Sequence, residues 1–318
     1  MNTKVMGYLL GAIAEISYGT NPLFALPLYQ AGIDTDSVLF FRYLFAIPIV
    51  GLMIKVRGRD FTVRRSELPP LIVLGLLMAV SSLTLFESYN HMDVGIASTL
   101  LFVYPVIVAL IMRVMYKERL TAETVVSIAG ALVGIALLSI GEGGMVLSTV
   151  GTLLVFGSAL SYALYLVVVN RSSISGMPTL KLTFYMLVFG MGLFAVRLFA
   201  GDGLRVPPLN EWYLWGNFLA LAVFPTAISF LCTTAAIKHI GSTPTAILGA
   251  LEPATAVFFG MVVFGQDLCA REWLGFFIII LSVSVVVAGG GITRYLLRMK
   301  KMFPRIRRSD NGRSLDDV

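Results

Sequence analysis

Charged residues are scarce in this sequence. They make up 13% of its 318 residues, while 57% are hydrophobic. Soluble domains carry roughly 25% charged residues and about 45–50% apolar ones. The mean hydropathy of +0.86 points the same way. The composition therefore excludes an ordinary soluble domain and indicates that much of the protein surface faces lipid.

Cysteine and histidine are also rare, with two residues of each type. Cys232 and Cys269 form neither a disulfide framework nor a CxxC metal signature. His91 and His239 lie at helix ends, which leaves no histidine at membrane depth for a serine protease. Aspartates occur only in loops, at span ends or in the tail, and no Gly-Lys-Ser/Thr phosphate loop occurs. We expect no catalytic residue, no metal and no cofactor.

Ten apolar runs are long enough to cross a bilayer, which takes about 20 helical residues. The first has no small-x-small cleavage site after it, so we interpret it as a span rather than a signal peptide. Charged or glycine-rich turns separate the runs. The predicted spans are 5–29, 36–54, 69–90, 94–116, 123–140, 149–169, 178–200, 211–237, 243–264 and 271–290.

Lysine and arginine fall almost entirely on one side of this ten-span topology. The other side receives only Arg205 and Arg271 near its span ends. Because basic loops stay in the cytoplasm, both termini are predicted to be cytoplasmic in a cell inner membrane. The net charge of +6 then reflects topology and a lipid-attracted basic tail rather than nucleic-acid binding. The basic side holds Lys4, Lys55, Arg57, Arg59, Arg64, Arg65, Arg113, Lys117, Arg119, Arg171, Lys181, Lys238 and the tail from Arg294.

Two segments of the first half recur in the second. Pro105–Thr121 aligns without gaps to Pro253–Cys269, and Ser17–Tyr18–Gly19 is echoed by Ser161–Tyr162–Ala163. Five spans per half mean that the halves insert in opposite orientations. The predicted fold is an all-α membrane protein of ten transmembrane helices, arranged as two inverted five-helix repeats. We place the repeats at 1–144 and 145–292, followed by a basic cytoplasmic tail at 293–318. Such repeats can open a central site alternately to each side.

The run Leu251–Ala256, continued by Phe264–Leu268, resembles the ninth-span signature of the drug/metabolite transporter superfamily, EamA type. The resemblance covers residues 5 to 290. It implies ten spans, two five-helix repeats, cytoplasmic termini, and transport of amino acids and related metabolites, with nucleotide sugars and drugs as lesser options. Gln266 stands where members commonly carry glutamate, but this residue lies in a turn away from a central site.

Two carboxyl groups are predicted at mid-membrane depth, where a charge is costly unless it serves a cavity or a partner. Glu15 lies about ten residues into the first span and Glu252 about nine into the ninth. Each could bind substrate, or could be a hydrogen-bonded carboxyl that holds helices together. Pro253 favours function for Glu252, because its ring would free the Gly249 carbonyl for a ligand.

Other polar residues within the spans are open to two interpretations. Arg42 could snorkel outward, pair with Glu15 or Glu87, or bind a ligand. Glu87 is expected at the outer rim, and Arg197 is expected to snorkel. Asn21–Pro22 predicts an unwound stretch or a simple kink in the first span. Tyr18, Tyr104, Tyr162 and Tyr165 carry hydroxyls that seek partners, and some of these are expected to line the cavity.

Together these features predict a secondary transporter or facilitator that exports a small polar metabolite, such as an amino acid, by alternating access. Its partners would be that substrate and membrane lipid, with proton coupling left open. A passive channel is the alternative, and a membrane-embedded enzyme or scaffold is less favoured. The residues expected to bind substrate are Glu15, Tyr18, Asn21, Arg42, Tyr104, Tyr162, Tyr165 and Glu252.

Overall fold

The computed structural model describes residues 3–92, 94–139, 148–201, 203–264 and 269–285. All regular structure within these ranges is helical, and no strand occurs there. This confirms the predicted all-α class. The basic tail at 293–318 lies outside the described residues.

In the described residues, helices lie in each of the ten predicted spans, and some spans contain two helices in series. A 3₁₀ turn at Arg65–Glu67 precedes the third span, and a π-helix at Val223–Ile228 interrupts the eighth. The α-helices are α1 Thr3–Tyr18, α2 Asn21–Gln30, α3 Thr35–Val56, α4 Leu68–Ser88, α5 Val94–Leu101, α6 Tyr104–Tyr116, α7 Ala122–Ser139, α8 Thr149–Arg171, α9 Thr179–Ala200, α10 Trp212–Ala222, α11 Ser229–Ile240, α12 Ser242–Leu248, α13 Leu251–Phe264 and α14 at 270–285.

Polar caps set several helix starts. The Asp34 carboxylate accepts from the Ser37 amide at 3.2 Å at the start of α3, and the Ser148 hydroxyl accepts from Gly151 at 3.3 Å at the start of α8. Such caps satisfy amides that have no partner within the helix. Because they lie at the ends of apolar runs, they fix where the chain leaves the hydrocarbon.

Within the described residues, five helical stretches are long and apolar enough to cross a membrane. They are Thr35–Val56, Arg65–Ser88, Thr149–Arg171, Thr179–Ala200 and Trp212–Ile240. The first, fourth and ninth predicted spans are each divided between two shorter helices. Their breaks lie at Gly19–Thr20, Phe102–Val103 and Gly249–Ala250.

Each break is followed closely by proline and is bridged by tight backbone turns. In the first, the amide and the hydroxyl of Thr20 both donate to the Ser17 carbonyl. In the ninth, Gly249 donates to Ala246 and Ala250 donates to Ile247, each at 3.2 Å. These three-residue turns satisfy part of the backbone where the α-helical pattern stops. The first span is therefore interrupted by a tight turn directly before Asn21–Pro22, where an unwound stretch or a simple kink was predicted.

The helices of one half pack mainly against helices of the other half. The pairing is symmetric: the main contacts between the halves have counterparts between the equivalent spans. Helix α1 of the first span packs against α11 of the eighth, just as α8 of the sixth packs against α4 of the third. Helix α3 packs against α9, and α6 packs against α12. The helix pairing therefore fits the two inverted repeats.

Small residues allow the closest approaches between helices. A Cβ atom on Gly7 would lie 2.7 Å from His239 Cβ, and one on Gly134 would lie 2.8 Å from the Gly275 carbonyl oxygen. Gly7 and Gly11 of α1 thus face α11 and α12, and Gly130 and Gly134 of α7 face α14, the close approach that GxxxG spacing allows.

The loops lie at the two ends of the helix bundle. We call these the Lys181 end and the Arg205 end, after a basic residue at each. At the Lys181 end, Lys181 pairs with Asp60 at 2.9 Å and Arg171 pairs with Glu118 at 3.3 Å. At the Arg205 end, Arg197 makes a bidentate pair with Asp36 at 2.7 and 3.0 Å. The basic loops predicted to share one side therefore do meet at one end.

Candidate functional site

The breaks in the first and ninth spans bring the two mid-span carboxyl groups together. Glu15 is buried in the last turn of α1, and Glu252 is the second residue of α13. The two lie within electrostatic range of each other. Close backbone packing holds them there: a Cβ on Gly19 would lie 2.6 Å from the Glu252 carbonyl oxygen. Glycine is needed here because any side chain would push the two spans apart.

Three tyrosines, Tyr104, Tyr162 and Tyr165, lie within electrostatic range of Glu15. The rings of Tyr104 and Tyr162 meet edge to face with centroids 4.8 Å apart, and Tyr162 stacks on Tyr165 at 5.7 Å. Tyr18 and Glu15 both lie within electrostatic range of Tyr104 and Tyr162. The tyrosines come from the first, fourth and sixth spans, so both halves contribute to the cluster.

The hydroxyls of these tyrosines differ in their partners. The Tyr165 hydroxyl lies 3.3 Å from the Thr234 hydroxyl. The Tyr104 hydroxyl is buried and has no hydrogen-bond partner in the described part of the protein. It sits against the Gly249 backbone, where a Cβ atom would lie 1.5 Å from the oxygen. An unpaired buried hydroxyl is unfavourable, so this oxygen is suited to a ligand.

Arg42 lies fully buried in α3. Its Nε atom donates to the Thr226 hydroxyl at 2.5 Å, and its Nη2 atom donates to the Pro225 carbonyl at 2.9 Å. Both partners belong to the π-helix of the eighth span. The alternative that Arg42 snorkels outward is therefore wrong, because its head is held inside the bundle.

The remaining surroundings of Arg42 are aromatic rings, the Tyr18 hydroxyl and one carboxyl group. The guanidinium carbon lies 5.6 Å from the Tyr18 ring centroid, 5.3 Å from Phe86 and 5.7 Å from Phe230, all within cation–π range. Glu252 lies within electrostatic range of it. The Nη1 atom has no hydrogen-bond partner among the described residues. Arg42 therefore offers an unused donor.

The Arg205 end has its own polar cavity of about 540 Å³, lined in part by Tyr29, Asp36, Glu87 and Arg197. The Glu87 Oε1 atom lies 3.9 Å from His91 Nε2. Glu87 therefore lies at the rim, as expected, and not against Arg42. Arg197 is tied to Asp36 instead of simply snorkelling. The proposed pairing of Arg42 with Glu87 is therefore wrong.

Two other expectations have mixed outcomes. Asn21 is buried directly after the first break, and neither its amide oxygen nor its nitrogen has a hydrogen-bond partner in the ranges described. The Gly249 carbonyl, however, is not free for a ligand as expected. It accepts from the Glu252 amide at 3.0 Å, because the chain makes a tight turn at this break.

Sequence reasoning missed two parts of the cluster. Tyr89 lies within electrostatic range of Glu252 and Arg42, with its ring 5.5 Å from Phe86. It was overlooked because it stands at a span end, where hydropathy gives no signal. Thr226 and the Pro225 carbonyl were also missed, although a proline in the middle of the eighth span is a signal for an irregular helix.

The residues so assembled form a central cluster of two carboxyls, one guanidinium and several tyrosines. We define it by Glu15, Tyr18, Arg42, Tyr89, Tyr104, Tyr162, Tyr165 and Glu252. Tyr18, Tyr162 and Glu252 keep some accessible surface. No group of three or more metal-ligating residues occurs in the described part of the chain. The cluster offers hydrogen bonding and charge.

Comparison with known proteins agrees with this architecture. A solved structure whose title reads "Crystal structure of protein" superposes with a TM-score of 0.78 at 17% identity, covering 91% of this chain and 98% of the other. An uncharacterized transporter of Archaeoglobus fulgidus is 27% identical over 86% of this chain and 93% of its own length. The uncharacterized inner membrane transporter YedA of Escherichia coli is 25% identical over 83% of this chain and 82% of its own.

The family comparison covers most of the chain. The model of the EamA-like transporter family matches twice, over residues 5–140 and 149–288. The two matches fall on the two sets of five predicted spans. Together with the helical fold and the transporter relatives, they identify this chain as a multi-pass membrane protein that belongs to the EamA-like transporter family.

Proposed function

We propose that this membrane transporter exports a small zwitterionic metabolite, with amino acids as the leading class, by alternating access at the central cluster. The observation that carries this proposal is the meeting of Glu15, Glu252 and Arg42 at the breaks of the first and ninth spans. A charged side chain inside a membrane is costly, and an arrangement of three is difficult to explain as packing alone.

The two carboxyl groups have different surroundings and therefore different roles. Glu252 lies near Arg42, which offsets its charge. Glu15 lies among tyrosines, and its carboxyl partner in electrostatic range is Glu252, which has the same sign. An ionised Glu15 thus lacks a compensating cation. A substrate ammonium supplies that charge and also gains cation–π attraction from the tyrosine rings.

The substrate carboxylate would bind at Arg42. The unused Nη1 donor can form a charge-assisted hydrogen bond with it, while the other two nitrogens remain tied to the π-helix. A zwitterion is thereby matched at both ends, its ammonium at Glu15 and its carboxylate at Arg42. Asn21 and the Tyr104 hydroxyl are further polar groups available to the substrate side chain.

Glu252 would compete with the substrate for Arg42. When it is ionised, its charge satisfies the guanidinium; when it is protonated, Arg42 is available to the substrate carboxylate. Glu15 can likewise hold either a proton or the substrate ammonium. These exchanges give a route to proton coupling without any further ion.

Alternating access would proceed by movement of the two repeats, which we place at 1–144 and 145–292. The cluster lies between them, with Glu15 and Arg42 in the first and Glu252 in the second. The ion pairs at the two ends are suited to act as gates, since Asp36–Arg197 and Asp60–Lys181 both join the halves. The Lys181 end would face the cytoplasm together with both termini, because it holds the basic loops.

The test is transport into proteoliposomes with a panel of labelled amino acids, with and without a proton gradient. We expect Glu15→Gln and Glu252→Gln to lower transport roughly 10- to 100-fold, because each removes a charge-assisted contact. Glu211→Gln, in a loop at the Arg205 end, is the matched control and should leave transport unchanged. If both cluster variants keep wild-type rates and wild-type pH dependence, the assignment is wrong.

The same vesicles distinguish a carrier from a channel. Unlabelled substrate on the far side should accelerate exchange of the label in a carrier, because the loaded site returns faster than the empty one. Flux that neither saturates nor responds to substrate on the far side would favour the passive channel. Chemical change of the label would favour an enzyme.

A further inference from the structure

A second site lies on the lipid-facing surface, away from the central cluster. It is a groove of about 500 Å³ between α3 and α9, lined by Leu44, Ile47, Pro48, Gly51, Leu52, Lys55, Phe61, Phe184 and Met191. All the lining residues except Lys55 are apolar. The groove is open to the bilayer and is not part of the transport site proposed above.

The groove is built by specific side chains. Gly51 lets the Phe184 ring come close to α3, since a Cβ atom there would lie 3.2 Å from Phe184 Cε2. The Phe61 ring meets Phe184 edge to face with centroids 5.1 Å apart and closes one end. The loop that carries Phe61 is fixed on α9, because the Tyr185 hydroxyl donates to the Phe61 carbonyl and Lys181 pairs with Asp60.

The length of the groove matches one leaflet of a bilayer. Leu44 and Lys55 lie eleven residues apart on α3, which corresponds to about 16 Å at 1.5 Å per residue. One leaflet contributes about 15 Å of hydrocarbon. The apolar part therefore spans the acyl region, and Lys55 lies at the depth of the phospholipid headgroups.

The lysine at this end of the groove is not paired among the described residues. Lys55 has no hydrogen-bond or ion-pair partner in the part of the chain that the structure describes, and its residue is exposed. Arg57 and Arg59 follow it directly and are exposed as well. A cation at headgroup depth above an apolar groove complements a lipid that has an acyl chain and a net negative headgroup.

We propose that this groove is a binding site for an anionic phospholipid, with an acyl chain between α3 and α9 and its phosphate at Lys55. Helix α3 belongs to the first half and α9 to the second. A lipid bound between the two helices would therefore bridge the two halves at the Lys181 end. The site does not depend on which substrate the transporter carries.

The test is native mass spectrometry of the full chain, purified in detergent and exposed to equal amounts of phosphatidylglycerol and phosphatidylcholine. The wild-type protein should retain phosphatidylglycerol preferentially. Lys55→Gln should lower its retention about fivefold, the effect of one basic residue near a membrane surface. Arg119→Gln removes the same charge at the same end, outside the groove, and should leave retention unchanged.

A second pair of variants tests the apolar part. Leu52→Trp places bulk in the groove from an exposed position and should lower retention of both lipids. Leu110→Trp, on another exposed lipid-facing surface, is its control. Inorganic phosphate should not compete, since it lacks the acyl chain. Equal retention of both lipids by the wild type, unchanged phosphatidylglycerol retention in Lys55→Gln, or a change of oligomeric state in place of lipid loss would overturn the proposal.

Discussion

The breaks in the fourth and ninth spans are related by the repeat, yet they carry different chemistry. Pro105 and Pro253 occupy equivalent positions, and each follows an interruption of two residues, Phe102–Val103 or Gly249–Ala250. The residue before proline is Tyr104 in one half and Glu252 in the other. The break in the backbone is therefore present in both halves, but the side chain next to the proline carries a neutral hydroxyl in the first half and a carboxyl in the second.

The surroundings of the two breaks differ accordingly. Glu252 faces Arg42, whereas the Tyr104 hydroxyl rests on the Gly249 backbone. A site with identical halves would present the same groups to both ends of a substrate. The difference between Tyr104 and Glu252 therefore makes the central cluster asymmetric in charge, as the proposed zwitterionic substrate would require.

The largest expected effect comes from removing the cation on the Glu252 side. Arg42→Met leaves the Thr226 hydroxyl and the Pro225 carbonyl without their donors and Glu252 without a compensating charge. We expect a loss of about 3 kcal/mol of stability. Thermal unfolding in detergent measures this loss. Arg197→Met breaks an exposed ion pair and should cost under about 1 kcal/mol; equal losses in the two variants would contradict the role of Arg42.

The next effect tests the contact between the two breaks. Gly249→Ala places a methyl group 1.5 Å from the Tyr104 hydroxyl oxygen, so one of the two spans must shift. Overpacking of this kind costs about 2 kcal/mol. Gly216→Ala adds the same methyl group in open space and should be neutral. The double variant Tyr104→Phe/Gly249→Ala should recover part of the loss, and a strictly additive result would count against the contact.

A smaller effect separates function from packing among the tyrosines. Tyr104→Phe removes a hydroxyl that has no partner in the described protein, so stability should not fall, while transport should drop about fivefold if the substrate uses this oxygen. Tyr165→Phe removes the contact with Thr234 and should cost about 1 kcal/mol of stability. Unfolding and transport should be measured on both variants. Tyr104→Phe should lower transport without lowering stability, whereas Tyr165→Phe should lower stability.

The smallest effect lies at the Lys181 end. The Lys181 hydrogen bond holds the pKa of the exposed Asp60 carboxyl below its usual range. Because its pKa is lowered in the folded protein, Asp60 stabilises the fold at every pH above the ordinary pKa of aspartate. This stabilisation is lost only as the pH falls through the lowered pKa. Between about pH 5 and 8, Asp60→Asn should therefore cause a small, constant shift in unfolding. An altered pH profile of transport in that range would assign the proton-sensitive step to this end instead of the cluster.

Much of the fold could be predicted because hydrophobic spans and basic loops are local signals. Each predicted span is helical in the described residues, and the basic loops meet at one end. The Asn21–Pro22 break was also visible, since proline removes a backbone donor wherever it stands. The interruption at Phe102–Val103 was not foreseen, although Pro105 was already recognised as the repeat partner of Pro253.

The site could be predicted only in part. The depths of Glu15 and Glu252 follow from counting residues, but their proximity depends on how the first and ninth spans pack at Gly19. The snorkelling alternative for Arg42 failed for the same reason, because its partners lie 183 and 184 residues away in the eighth span. No local pattern contains such pairs.

The sequence by itself determined the membrane class, the helical character of the spans and the two-repeat organisation, because these depend on hydropathy and charge along the chain. Only the tertiary structure decided which polar groups share the interior. Residues from six different spans meet there through close helix packing at glycines, and the π-helix turns its polar atoms toward Arg42. Those contacts are set by the three-dimensional fit of the two halves, which periodicity and composition do not encode.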